Sequence, residues 1–183
     1  MMSKRSLLHS RLLDITVSRL AQQLVEYHYP FENSVLLGMQ PRGVFFASRI
    51  ADKLEEILGH RVPLGKLDVT FYRDDFRRRI KPIKANTTEI PFPLENKRVI
   101  LVDDVLYTGR TVRSALDAMI DFGRPAKVEL LILIDRVYSR DLPIEPTYVG
   151  KHVNTLDSQR VLVEWKEQGA KEDNIWLINK EEA

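Results

Sequence analysis

The chain predicts an α/β fold, a parallel sheet covered by helices on both faces, and three observations carry that prediction. Short apolar runs rich in β-branched residues alternate with longer helical patterns, as βαβ units require. The sharpest run, Val99-Ile100-Leu101-Val102, leads straight into Asp103-Asp104 and then into a Thr108-Gly109-Arg110-Thr111 loop that opens a helix. The 183 residues, 44% hydrophobic and 30% charged, suffice for one sizeable core and carry no linker, so residues 1–183 are read as a single domain.

Each element follows from its pattern. Leu12, Leu13, Ile15, Val17, Leu20, Leu24 and Val25 recur at helical spacing, which predicts an amphipathic helix over residues 10–27. Val35-Leu36-Leu37 is a short strand, Gly38-Met39-Gln40-Pro41-Arg42-Gly43 a turn, and residues 44–58 a helix that Gly59 ends. Residues 67–72 alternate as a strand. The strand 99–102, a helix over 112–122 and a strand over 128–134 complete a βαβ segment. Beyond Asp135, Pro143, Pro146 and Gly150 interrupt strand-like pieces at 148–149, 160–165 and 174–178, a small irregular C-terminal subregion with Trp165 and Trp176 as core or interface aromatics.

Composition excludes several classes. No apolar stretch approaches a bilayer span and no sustained hydrophobic segment follows the basic start, so a cytoplasmic location without membrane contact is expected. The absence of cysteine removes disulfides, thiolate metal sites and a cysteine nucleophile. His9, His28, His60 and His152 are scattered without ligand spacing, so no protein-built metal site is expected. A net charge of +2 is too small to argue for nucleic acid without local clustering.

The chemistry concentrates in residues 99–111. Adjacent acids at the end of a parallel strand can accept hydrogen bonds from a vicinal diol. The N–H groups of a helix N-terminus attract a phosphate dianion, with hydroxyls from Thr108 and Thr111 and close approach at Gly109. Such a segment addresses a phosphorylated sugar at the edge where open sheets place ligands. The turn at 38–43, with Arg42 and two glycines, forms a second anion site. Residues 73–84 gather six cations, and the stretch 73–93 lacks apolar periodicity, which reads either as a solvated charge run or as a long mobile lid over an anionic substrate.

The strand, Asp-Asp and Thr-Gly-x-Thr order resembles the phosphoribosyl pyrophosphate motif of type I phosphoribosyltransferases. The longer string Val-Asp-Asp-Val-Leu-Tyr-Thr-Gly-Arg-Thr-Val-Arg resembles the branch that regulates pyrimidine operons. The resemblance extends to Met39-Gln40-Pro41-Arg42-Gly43, where Pro41 replaces a threonine, to residues 68–75, and to Leu142-Pro143-Ile144 with residues 148–151. It implies the type I phosphoribosyltransferase fold, with a flexible lid. It also implies that Gln40, Arg42, Asp103, Asp104, Val105, Leu106, Tyr107, Thr108, Gly109, Arg110 and Thr111 bind phosphoribosyl pyrophosphate or nucleotide. Arg73, Asp103 and Asp104 are then the catalytic residues, and Mg²⁺ is the cofactor, held mainly by substrate oxygens.

The acceptor base falls by the same resemblance to Arg136 and Val137, through backbone groups, with Ile144 as an apolar wall. Here the chain departs from its relatives, reading Arg136-Val137-Tyr138-Ser139-Arg140-Asp141-Leu142-Pro143-Ile144 where they read Arg-Gly-His-Arg-Glu-Leu-Pro-Ile. Tyr107 stands where purine relatives carry an acid, so uracil is the expected acceptor and UMP the product. The resemblance further implies a homodimer or higher homo-oligomer that binds pyrimidine-operon leader RNA in response to uridine nucleotides, with Arg19, Arg140 and Lys151 as candidate contacts. Two alternatives stand beside this reading: an RNA-binding attenuator with little catalytic role, and a phosphoribosyltransferase for orotate or a purine.

Overall fold

The computed structural model describes residues 4–74 and 86–179. Its centre is a five-stranded parallel sheet of β2 (Ser34–Met39), β3 (Leu64–Leu67), β4 (Arg98–Leu106), β5 (Lys127–Val137) and β6 (Tyr148–Asn154), in the spatial order β3-β2-β4-β5-β6. Every residue of β2 is buried, and β5 is buried from Glu129 to Arg136, which is why both read as continuous apolar runs rather than as alternation.

Helices cover both faces. On one side lie α1 (Ser10–His28) and α2 (Gly43–Leu58), whose Leu13, Val17, Leu20, Leu24, Phe46, Ile50 and Leu54 meet Leu36, Ile100 and Val102 of the sheet. On the other lies α3 (Arg110–Met119), where Val112, Ala115, Ala118 and Met119 cover Val99, Leu101 and Ile132. Gly59 ends α2 with φ of 75°. The sheet's N-terminal edge holds a buried polar cluster: the His28 ring places Nδ1 2.8 Å from Ser34 Oγ and Nε2 3.0 Å from Tyr148 OH and 3.3 Å from Glu129.

Three expectations change. The C-terminal subregion is not irregular: β7 (Gln159–Glu164) and β8 (Asn174–Asn179) form an antiparallel sheet with β1 (Lys4–His9), in the order β1-β8-β7. Strand β1 escapes the sequence reading because its pairing partner lies at the other end of the chain, Lys4 opposite Ile178. The strand expected over 67–72 stops at Leu67. Asp68 accepts the Thr70 N–H at 3.2 Å and its hydroxyl at 2.7 Å, and this local capture turns residues 70–72 into a 3₁₀ turn. Finally, α3 begins at Arg110 and gives way to a 3₁₀ turn at Ile120–Phe122.

Residues 75–85, the centre of the expected lid with five of its six cations, lie outside the described residues. The described residues before and after that stretch are tied together. Asp68 Oδ2 accepts the Asn86 N–H at 3.0 Å, and Glu89 pairs with Lys66 on β3. Among the described residues no helix is long and apolar enough to cross a membrane.

Candidate active site

The site lies at the C-terminal edge of the parallel sheet, where β4 ends. This strand runs four residues further than its apolar core, in register with β5 so that Asp103 lies opposite Ile132 and Leu106 opposite Asp135. Strand alternation then separates the two acids. Asp103 lines a cavity of about 520 Å³, together with Arg73, Asp74, Val105, Leu106, Tyr107, Thr108, Gly109, Arg110 and Thr111. Asp104 faces the start of α2, where its Oδ2 lies 3.6 Å from Arg42 Nε and, although buried, has no hydrogen-bond partner.

The pair is electrostatically loaded. Burial, and then the neighbouring Asp104, push the Asp103 carboxyl well above the usual carboxylate range. Burial raises Asp104 as well, against the pull of the Arg42 guanidinium. Asp103 Oδ1 accepts the Asp104 N–H at 2.9 Å, which fixes its orientation. Two desolvated carboxylates that both resist ionisation are arranged to welcome positive charge or hydroxyl donors.

Opposite Asp103 the chain builds an anion cradle. Gly109, at φ of 88°, caps α3, and the first N–H groups of that helix have no partner inside it. A Cβ at Gly109 would sit 2.9 Å from Ile144, so both φ and space demand glycine. At the other wall, a Cβ on Gly43 would lie 2.6 Å from the Val102 carbonyl and 3.0 Å from Asp103 Oδ1, so only glycine lets α2 start against the acids. The Gln40–Pro41 peptide between these walls is cis. Arg110 straps the mouth, bonding Asp74 at 2.6 Å and Asp141 at 3.0 Å.

Of the residues assigned from sequence, Arg73, Asp103 and residues 105–111 converge on one cavity, with Asp104 and Arg42 behind it. The Gln40 side chain instead donates to the Thr87 carbonyl at 2.6 Å, two residues into the second described stretch. Arg136 turns its buried side chain away, to Thr155 Oγ1 at 2.9 Å and the Gln159 carbonyl at 3.1 Å, with its guanidinium 3.8 Å from the centroid of the Tyr107 ring. Ile144 packs on Gly109, and Val137 ends β5 half-buried. Asp68 escapes the sequence reading; an aspartate two residues before a threonine at a strand's end is the signal that could have found it.

The RNA candidates separate. The exposed Arg19 side chain reaches the Val149 and Gly150 carbonyls of β6 at 3.1 and 2.7 Å, next in sequence to Lys151, whose Nζ donates to the Leu7 carbonyl at 2.9 Å. Arg140 does not join them. Its guanidinium is drawn inward to Asp135 and to three backbone carbonyls, because a carboxylate buried at the end of β5 requires a partner.

Residues 3–168 match the phosphoribosyl transferase domain. The chain belongs to the phosphoribosyl transferase family. Within it, the chain is 46% identical over 163 residues to the bifunctional protein PyrR of Desulfosudis oleivorans, covering 88% of this chain and 90% of that one. It is 44% identical to the bifunctional protein PyrR of Streptococcus mutans, covering 91% of each. It is thus a type I phosphoribosyltransferase of the PyrR type. Its fold is similar to that of the hypoxanthine phosphoribosyltransferase of Trypanosoma cruzi, with a TM-score of 0.72 at 15% identity over 97% of each chain.

Proposed function

We propose that the chain transfers the phosphoribosyl group of phosphoribosyl pyrophosphate to uracil, yielding UMP and pyrophosphate, and that it also regulates pyrimidine-operon transcription by binding leader RNA. The observation that carries the enzymatic half is the single cavity in which Asp103 faces the N-terminus of α3 across the 105–111 loop. The α3 cradle takes the 5′-phosphate and the Asp103 side takes the ribose hydroxyls, so the anomeric carbon is directed toward Arg42 and Arg73 on one side and the 136–144 segment on the other.

The anomeric C–O bond breaks with its electron pair leaving on pyrophosphate, where Arg42 and Arg73 offset the growing negative charge. Positive charge that develops on the ribose lies against Asp103 and Asp104, whose desolvated carboxylates favour it over the neutral ground state. A uracil ring nitrogen then forms the new bond to carbon and gives up its proton to the released pyrophosphate or to solvent. Tyr107, with its ring under the Arg136 guanidinium, supplies no anion for a purine N7–H, and this favours a pyrimidine acceptor.

Mg²⁺ fits the donor set as a substrate-borne ion. Among the described residues no cluster of three or more His, Asp or Glu side chains could cage it, while Asp104 Oδ2, which accepts no hydrogen bond, offers one hard oxygen. When bound, it would screen the pyrophosphate charge. Nucleotide formation with uracil, orotate, hypoxanthine and guanine tests the reading: uracil should be used and the purines refused, and preference for hypoxanthine would overturn it.

The regulatory half is supported by the juxtaposition of Arg19 and Lys151 and by the kinship to bifunctional proteins. Replacing both with alanine should weaken leader binding, flatten its salt dependence by about one unit of slope for each phosphate no longer neutralised, and leave uracil transfer intact. A second copy of the chain is the proposed partner, supported by the exposed Leu12 and Ile15 on the same helix as Arg19.

A further inference from the structure

We propose that Arg140 is a positioning residue that splints the acceptor-base segment to the phosphate loop, so that the geometry of base addition depends on one guanidinium that touches no substrate. This rests on the transferase reading above. Residues 136–144 leave β5 and return to the sheet edge, with Tyr138 at φ of 66° and almost fully exposed. A left-handed aromatic residue with no packing of its own is held there by its neighbours rather than by its own preference.

Arg140 supplies most of that hold. Its Nε donates to the Ile144 carbonyl at 3.1 Å, and one terminal nitrogen donates to the Tyr107 carbonyl at 2.6 Å and to the Arg136 carbonyl at 3.1 Å. The other terminal nitrogen bonds Asp135. The planar fork thus joins both ends of the acceptor segment, residues 136 and 144, to the strand end that begins the phosphate loop. Asp135 is buried, and its second oxygen is met by His152 Nδ1 at 3.1 Å, which keeps the carboxylate from following the guanidinium.

Three more contacts lock the same junction. The Thr108 carbonyl accepts the N–H groups of Asp141 at 3.0 Å and Leu142 at 3.2 Å, and Ser139 Oγ donates to the Arg136 carbonyl at 2.7 Å. Thr108 lies in the phosphate cradle, so the path from 5′-phosphate to base crosses only a few bonded atoms. A misplacement of about 1 Å in such a segment lowers productive encounter with the base and leaves the phosphate site in place.

The test uses Arg140→Met, which keeps the stem and removes the fork, and Arg140→Ala with and without added guanidinium ion. Two readouts are taken on the full chain. First, amide exchange at Asp141 and Leu142 should accelerate at least tenfold in Arg140→Met, with β4 amides unchanged; unchanged protection of these two amides would overturn the splint whatever the acceptor is. Second, KM for uracil should rise about tenfold while KM for phosphoribosyl pyrophosphate and kcat each change less than threefold, and guanidinium should restore part of the loss in Arg140→Ala. Parallel increases in both KM values would overturn the assignment in favour of general loosening, and loss of leader RNA binding with unchanged KM for uracil would make Arg140 an RNA contact. If the unmutated protein uses no uracil, the transferase reading fails, and the exchange measurement still decides the splint.

Discussion

Replacing Asp103 with asparagine should make the protein more stable and nearly inactive at once. Asparagine keeps an Oδ1 that can accept the Asp104 N–H, so the local geometry at 2.9 Å survives. What disappears is a desolvated charge beside Asp104, the cause of the raised Asp103 pKa. Linkage gives the sign. A carboxyl raised in the folded state favours its protonated form there; that contribution is complete below the unfolded value of about 3.9 and is lost as pH climbs through the raised folded value.

The wild-type chain therefore falls behind the asparagine variant only on the alkaline side of that window. The gain should therefore grow with pH once the wild-type carboxyl has to ionise in its buried setting beside Asp104. That gain should appear as a higher Tm at the alkaline end and should fade toward zero near pH 4. Turnover should fall about 10²-fold or more, the scale of removing one stabiliser of developing charge. Calorimetry across this pH range on ligand-free protein, with turnover measured on the same preparations, checks both halves. A variant less stable at the alkaline end, or one whose gain is the same at both ends, would refute burial as the cause; normal turnover would remove Asp103 from the ribose.

Three further outcomes are expected. Gly43→Ala puts a Cβ 2.6 Å from the Val102 carbonyl and against Asp103, so it should cost about 1–3 kcal/mol and lower kcat more than tenfold, measured by melting and steady-state kinetics; full activity would show that α2 can slide. His28 has its pKa lowered to about 4 by burial and then by Arg98, so its contribution is present above about pH 6.5 and is lost as pH falls toward 4, roughly 3 kcal/mol in all; His28→Gln should flatten that acid limb in a pH series of melts, and an unchanged slope would exonerate the histidine. Arg73→Ala should lower turnover more than it weakens UMP binding, because UMP lacks the pyrophosphate whose charge Arg73 is proposed to offset; equal losses in kinetics and in calorimetric UMP titration would place Arg73 in the nucleotide site.

The site is legible where chemistry is local. Strand, acids, loop and helix start are consecutive in residues 99–111, so a single line of sequence holds the phosphate cradle and Asp103, and the parallel sheet follows from buried runs such as 128–134. What depends on distant partners stays hidden. Lys4 finds Ile178, a pairing no window can contain, and so β1 and the regularity of the C-terminal sheet go unseen. Arg140 reads from sequence as one cation among several, and only the fold brings Asp135 to it. The strand expected over 67–72 fails for a local reason, since Asp68 offers the backbone of residue 70 a better partner than the sheet does.

The same distinction bears on the altered acceptor segment. The segment lacks the relatives' glycine, has Tyr138 or Ser139 in place of their histidine and is one residue longer, a change that looks severe if side chains meet the base. The side chains in fact point elsewhere: Tyr138 is almost fully exposed, and Arg136 is turned back under β7 toward Gln159. The backbone path of this segment includes a left-handed step at Tyr138 of the kind glycine adopts freely. An L-residue in that region carries about 1–2 kcal/mol of steric cost, so the path persists only because other bonds enforce it. Those bonds are the ones from Arg140, from Ser139 and from the N–H groups of Asp141 and Leu142 to Thr108. A segment held by its carbonyls and N–H groups can exchange side chains without moving its backbone, and so the acceptor role proposed for that backbone survives the departure from the family pattern at residues 137–139.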